Sequence, residues 1–264
     1  ALVERRGEHM LHLNAAAQNG YPYDDFHVLI GLFPALLHPR PDRALAVGLG
    51  IGATPYGMLL DPRMGSVETV EICAGLSDLL AELGRRGSPE SSRLLADPRL
   101  DLRVGDGRKR LLAAEHDYDV ITVDALRPQS GYSGNVYSVE FYRLVAERLA
   151  PGGLFAQWVP TDRVLASVTH VFPHVATIVA PGPVTFLVAS NDALPHDRAG
   201  MLARFRALPQ DAALSAAQRA SLERFFAHAE LEHARRGELP ATPSRESELN
   251  RDLFPRDEYF LNDD

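Results

Sequence analysis

The sequence predicts an α/β fold, an open and mostly parallel sheet with helices on its faces, and three observations predict it. Ala44 to Thr54 reads Ala-Leu-Ala-Val-Gly-Leu-Gly-Ile-Gly-Ala-Thr, an apolar strand that breaks into three alternating glycines before a helix begins. From there to Ala189, strand-like and helix-like stretches alternate at the rhythm of βαβ units. Three acidic residues, Glu71, Asp106 and Asp124, each follow a predicted strand, at the edge where such sheets hold ligands. Gly48, Gly50 and Gly52 let a ligand approach main-chain N–H groups that a Cβ would shield. Gly48, Gly50 and Ala53 also satisfy a dinucleotide fingerprint, so the turn says "adenosine-bearing ligand" without saying which one.

A chain of 264 residues, 45% of them hydrophobic, builds a full core as one large domain or one domain with appendages. Its net charge of -8 argues against a nucleic-acid binder and is compatible with a cationic substrate. The one cysteine, Cys73, excludes an internal disulfide, and its apolar strand context predicts a buried, inert thiol. No run reaches the roughly 18 apolar residues that span a bilayer; the nearest, Val28 to Leu37, is broken by Gly31 and Pro34. The chain starts at Ala1 without a methionine or a signal-peptide core, as expected of a processed or excised piece.

Leu2 to Arg5 and His9 to Asn14 flank Arg6-Gly7-Glu8 and predict a hairpin, followed by a polar connection from Gln18 to Asp25. Helical spacing runs from Phe26 to His38, where Pro39 and Pro41 stop it. Strands are then expected at Ala44 to Gly48, Ser66 to Ile72, Leu100 to Val104, Tyr118 to Val123 and Leu154 to Val159. Helices are expected at Thr54 to Leu60, Gly75 to Leu83, Arg108 to Ala114, Val139 to Leu149 and Arg163 to Val171, with a polar loop from Gly84 to Ser92. Ala176 to Ala180 and Thr185 to Ala189 pair as a closing hairpin. From Asp197 the chain turns Ala-, Arg- and Glu-rich, helical to about Arg236 and irregular to Asp264. His228, Glu232 and His233 fit no helical zinc spacing and read as a solvated helix face. The expected organisation is a hairpin region (1–25), a Rossmann-like cofactor-binding catalytic domain (26–192) and a helical extension (193–264).

At the sheet edge Glu71 is placed to accept both hydroxyls of a ribose, and Asp106, between Gly105 and Gly107, to take an exocyclic amine beside a flat base. Asp124 is placed to orient or deprotonate a nucleophile. An acid at a strand end is also a common helix cap or turn former. Three on one edge favour the ligand reading.

Taken together, the glycine loop, Val70-Glu71-Ile72, Asp97-Pro98-Arg99, Gly105-Asp106-Gly107, Tyr118 to Asp124, Glu140-Phe141-Tyr142 and Leu149 to Gly153 resemble the spermidine synthase family of aminopropyltransferases. Gly131 to Tyr137, Ala156 to Pro160 and Val171 to Val175 resemble its branch fused to a membrane region. The resemblance covers roughly Glu4 to Ser190. It implies a Rossmann-like fold of the S-adenosylmethionine-dependent methyltransferase kind, with an N-terminal β-hairpin. It also implies decarboxylated S-adenosylmethionine or S-adenosylmethionine as co-substrate, no metal, an amine acceptor, a homodimer and a cytoplasmic location, with an attached membrane region expected from the branch alone. Residue by residue it makes Gln18, Gly48, Gly50, Gly52, Glu71, Asp106 and Gly107 cofactor-binding, His27 part of the amine pocket and Asp124 the catalytic carboxylate that helps deprotonate the attacking amine.

Two positions depart from the family, which has aspartates where Ile51 and Arg127 stand. Loss of those anions makes putrescine a poor acceptor. Arg127 either turns to solvent or neutralises Asp124, or it holds a carboxylate, of an acidic acceptor or of S-adenosylmethionine itself. Tyr132 and Tyr137 wall the pocket or pack its lid. The leading expectation is a spermidine synthase-like transferase; a methyltransferase, a non-catalytic adenosyl-binding domain and, on the glycine loop alone, a nicotinamide-dependent dehydrogenase stand beside it.

Overall fold

The computed structural model describes residues 2–5, 8–13, 16–125, 127–128, 130–182, 184–209, 214–234 and 248–258. Strands β1 (Leu2–Arg5), β2 (Glu8–Leu13) and β3 (Ala16–Tyr21) form a small antiparallel sheet. The expected hairpin is there, but β3 takes up most of the connection expected from Gln18 on. Its pairing with β2 is carried by the backbone, and a third strand supplies partners that a lone hairpin lacks. Arg6, Gly7 and Asn14 lie outside the described residues.

Helix α1 (Asp25–Leu37) starts where the Asp24 carboxylate accepts the His27 N–H at 2.9 Å, and every residue from Val28 to Leu37 is buried. A helix apolar all round belongs between two layers. Strand β4 (Arg43–Val47), helix α2 (Ala53–Leu60), strand β5 (Ser66–Glu71) and helix α3 (Ala74–Arg85) follow as expected to within a few residues. Helix α4 (Pro89–Ala96) then stands where the sequence suggested a loop. Ser88 caps it by accepting the Ser91 N–H, and Pro89 opens its first turn. It buries only Ser91 and Leu94, too few for a periodic apolar signal.

Strand β6 (Leu100–Val104), helix α5 (Gly107–Leu112), strand β7 (Tyr118–Val123), a 3-10 turn (Ser133–Val136) and helix α6 (Val139–Glu147) lead to strand β8 (Leu149–Trp158). The last starts earlier than expected, because Pro151-Gly152-Gly153 lies within the strand, beside an irregularity in its pairing with β7. Helix α7 (Asp162–Val171), strands β9 (His174–Ala180) and β10 (Val184–Ser190), helices α8 (Arg198–Arg206) and α9 (Ala216–His228) and strand β11 (Glu232–Ala234) complete the described elements. The tail is therefore not helical to Arg236: β11 pairs antiparallel with β9 and takes Glu232 and His233 off the helix that ends at His228. Residues 235–247 and 259–264 lie outside the described set.

The main sheet runs β11-β9-β10-β8-β7-β4-β5-β6. The pairs from β8 to β6 are parallel, and β10 is antiparallel to both β8 and β9. In β4, Val47 pairs with Val70 of β5 on one side and Val123 of β7 on the other. The ladder continues past the strands: Gly48 N–H donates to Val70 O, Asp124 N–H to Val47 O and Gly105 N–H to Glu71 O, at 2.8–2.9 Å. The order in which the chain lays down strands reverses at β4, so a crevice opens beyond its carboxyl end. No helix among the described residues is long and apolar enough to cross a membrane.

One face of the sheet is covered by α1, α2 and the tail helices, with Phe33 packed on Phe186, Phe225 and Phe226. On the other, Tyr142 of α6 and Phe172 after α7 pack against Phe155 of β8, with Phe141 edge-on to Tyr142. Helices α1 and α2 touch through glycine on each side: a Cβ at Gly31 would lie 2.0 Å from Thr54 O, and one at Gly57 2.2 Å from Val28 O. That contact fixes Thr54 against the start of α1. Gly57→Val is expected to cost at least about 2 kcal/mol through overpacking, read as a lowered denaturant midpoint; an unchanged midpoint contradicts the close approach.

Candidate active site

The crevice beyond β4 holds a cavity of about 500 Å³. Its walls come from the ends of β4, β5, β6 and β7, the first residues of α1, Trp158 at the end of β8 and the loop around Tyr132. Neighbouring strands lie about 4.8 Å apart. Asp124, at the end of β7, is thus roughly 10 Å from Glu71, two strands along, and roughly 14 Å from Asp106, three strands along.

At Gly48 the backbone has φ +99°, and a Cβ would lie 2.3 Å from Asp124 O. Only glycine lets β4 leave the sheet this close to its neighbour. The turn that follows is tied down by Glu71, whose carboxylate accepts Leu49 N–H at 2.8 Å on one oxygen and Cys73 N–H at 2.7 Å on the other. A carboxylate oxygen has two acceptor directions, so both keep capacity for a ligand hydroxyl. Asp106 caps α5 through one oxygen, which accepts Arg108 N–H at 2.8 Å and Lys109 N–H at 3.1 Å. Its other oxygen makes no bond to the described residues. The helix-cap and ligand readings of Asp106 are therefore compatible in one side chain.

Asp124 is held from two sides. The Thr54 hydroxyl donates to one oxygen at 2.7 Å, and His27 Nε2 stands 3.9 Å from the other. His27 Nδ1 in turn lies 2.8 Å from both oxygens of Asp24. Burial works against charge on His27, but Asp124 and Asp24 outweigh it and push the imidazole pKa up to about 9. Asp24 is held below the usual carboxylate range: burial opposes this, and the hydrogen bond and charge of His27 overcome it. His27 is thus a cation between two carboxylates.

The loop from Arg127 to Tyr137 closes the remaining side. Tyr132 sits at φ 69°, a left-handed conformation unusual for a residue with a side chain, with its ring exposed along the cavity. Glu258 holds that conformation by accepting Tyr132 N–H at 2.8 Å and Gly134 N–H at 2.9 Å. Asp252 adds a second tie, accepting from Arg108 and from the Ser138 hydroxyl. Inside the loop, Tyr137 is fully buried and accepts the Trp158 indole N–H at 2.9 Å.

Of the residues singled out from the sequence, Gly48, Gly50, Glu71, Asp106, Gly107, Asp124, His27, Arg127 and Tyr132 line this one cavity. Gly52 does not: it starts α2, and a Cβ there would strike Leu94 and the Tyr23 hydroxyl, in the core. Gln18 falls on β3, and its side chain lies outside what the structure describes. Ile51 is buried in the core and presents nothing to the cavity. Arg127 does not neutralise Asp124; among the described residues its side chain has no ion pair. Cys73 corrects the sequence reading, since it is exposed on the cavity wall. Strand β5 stops at Glu71, whose bond to the Cys73 N–H turns the chain outward before the cysteine. Thr54, Asp24, Ile72 and Trp158 were missed as site residues, as was Glu258. An acid three residues before a histidine at a helix start is the one available signal, for Asp24. No group of three or more potential metal ligands occurs among the described residues.

A sheet of this order with a cleft at the switch point defines a Rossmann-like α/β domain of the methyltransferase type. The profile of the spermine/spermidine synthase domain matches residues 24–175, more than half of the chain, and the chain belongs to that family. A polyamine aminopropyltransferase of Bacillus mycoides is 30% identical over 169 residues, 63% of this chain and 58% of that protein. Putrescine N-methyltransferase 2 of Nicotiana tabacum is 32% identical over 152 residues, 55% of this chain and 40% of that protein. The chain spans about half the length of the curated relatives it matches. Among solved structures, spermidine synthase from Thermotoga maritima superposes with a TM-score of 0.60 at 20% identity, covering 70% of this chain and 66% of that one.

The His27 charge has a measurable consequence. With its folded pKa raised from 6.5 to about 9, the stabilisation it provides is full below pH 6.5 and lost as pH climbs through about 9. Asp24→Asn should bring the His27 NMR titration midpoint down by about one unit or more and flatten that alkaline loss. A midpoint that stays near 9 contradicts the Asp24 contact.

Proposed function

We propose that the chain is a transferase domain that binds an adenosyl sulfonium co-substrate and alkylates an amine. Decarboxylated S-adenosylmethionine, with transfer of its aminopropyl group, is the first reading. The observation that carries it is the arrival of Glu71, Asp106 and Asp124 on one cavity above the glycine turn, from strands far apart in sequence. The residues present fit an adenosyl group. Glu71 keeps acceptor capacity for ribose hydroxyls, the unbonded oxygen of Asp106 can take the adenine amine, and Ile72 offers an exposed apolar surface to the base.

When bound, the co-substrate supplies an electrophilic carbon beside its sulfonium; the amine nitrogen bonds to that carbon, the carbon–sulfur pair stays on sulfur, and methylthioadenosine leaves. Asp124 orients the amine and accepts its proton. Thr54 and His27 hold the carboxylate in place, while Trp158 and Tyr132 wall the site. Membership of a family that contains polyamine aminopropyltransferases supports this reading. Putrescine as acceptor is disfavoured, because Arg127 brings a positive charge to the cavity and Ile51, buried in the core, supplies no anion to it. The resemblance to a putrescine N-methyltransferase makes methyl transfer from S-adenosylmethionine the second reading.

Calorimetry should show methylthioadenosine binding that Asp106→Ala weakens about tenfold or more. No heat with methylthioadenosine or either sulfonium, together with an unaffected Asp106→Ala protein, removes the proposal. Asp124→Asn is expected to lower kcat about 100-fold or more and leave methylthioadenosine affinity nearly unchanged. Loss of nucleoside binding in that variant would instead make Asp124 a binding group.

A further inference from the structure

At the β7 end of the cavity the charges do not suit a ligand with two ammonium groups. Each cavity acid already has a partner: Glu71 holds two backbone N–H groups, Asp106 caps a helix, and Asp124 lies between the Thr54 hydroxyl and the His27 imidazole. The groups facing His27 are Asp24 at the start of its own helix and Asp124 from β7, and these two carboxylates keep it cationic against burial.

Arg127, three residues beyond Asp124, lines the same cavity and is solvent-exposed. It has no carboxylate partner among the described residues. Arg63, Arg99, Arg108 and Arg110 show the usual situation, each bound to an aspartate or glutamate at 2.5–2.7 Å. His27, on the same wall, is compensated by Asp24 and Asp124, which leaves Arg127 as the cavity cation without an anion among the described residues. A guanidinium left open on a cavity wall presents a planar fork that fits a carboxylate through two parallel bonds. A diammonium ligand would meet that fork as a like charge.

We propose that the β7 end of the cavity is a carboxylate subsite in which the Arg127 guanidinium receives a carboxylate carried by the non-adenosyl part of the reacting pair. This rests on the adenosyl reading of the cavity. The strand spacing supports it: a molecule reaching from Asp106 to the β7 end spans roughly 14 Å, the length of an adenosine with a short chain beyond it. The carboxylate has two possible sources. One is the α-carboxylate of intact S-adenosylmethionine; the other is an amino acid whose amine is the acceptor.

The test uses the full chain and its Arg127→Ala variant. Calorimetry is run with methylthioadenosine, S-adenosylmethionine and decarboxylated S-adenosylmethionine. Product formation from the decarboxylated donor is then compared between putrescine and 4-aminobutyrate, which differ in one end group. The wild-type chain should bind methylthioadenosine, and Arg127→Ala should keep that affinity within about twofold, since the nucleoside does not reach the fork. If the donor supplies the carboxylate, the variant loses about tenfold or more in affinity for S-adenosylmethionine and nothing for the decarboxylated form. If the acceptor supplies it, the variant loses a preference for 4-aminobutyrate over putrescine by a similar factor. Methylthioadenosine binding with both ratios unchanged in Arg127→Ala overturns the subsite and spares the adenosyl reading. Absence of methylthioadenosine binding removes the adenosyl reading and the subsite with it.

Discussion

The cavity exists because the backbone of β4 can pass Asp124 at a distance no side chain would permit. With hydrogen at the Cα of Gly48, the chain leaves the sheet while Val47 is still paired on both sides, and the ends of β5 and β7 come out level with it. Everything chemical follows from that alignment. Thr54, at the start of the next helix, reaches Asp124, and the glycine contact between α1 and α2 sets His27 opposite. A Cβ at position 48 would push the end of β4 away from the Asp124 backbone and spoil that alignment.

Those carboxylates would repel one another if they stood bare in a partly buried space. The fold relieves them by different means: backbone N–H groups for Glu71 and Asp106, a hydroxyl and a histidine cation for Asp124. His27 can serve because Asp24 secures its proton from behind. The arrangement aims Asp124 by placing one histidine cation between it and Asp24.

The sheet was readable in the sequence where strands are buried on both faces. Tyr118–Val123 matches the expected strand at both ends because its apolar run has no competing period. The common position of Glu71, Asp106 and Asp124 was readable for the same reason, since the fold rule sends the ends of parallel strands to one edge. Where packing supplied the stability, the pattern was silent. Helix α4 rests on two buried residues and a serine cap, and β11 on three residues that borrow β9 as a template. Cys73 was misplaced because hydrophobicity continues one residue past Glu71 while the strand does not; the stop comes from a side-chain bond that no apolar pattern encodes. The Asp24–His27–Asp124 array needs three elements brought together in space, and only its first pair is local.

Glu258 binds two backbone groups of the loop beside the cavity, and with Gly134 it forms a bond spanning 124 residues. The side of the cleft proposed for the nucleoside is made by strand ends paired within the sheet. The opposite side owes its shape to a distant acidic anchor near the end of the described chain. One pocket therefore joins a socket set by the sheet to a jaw set by a distant anchor: altering the anchoring segment can reshape what is admitted beside Asp124 while the sheet-borne half keeps its geometry.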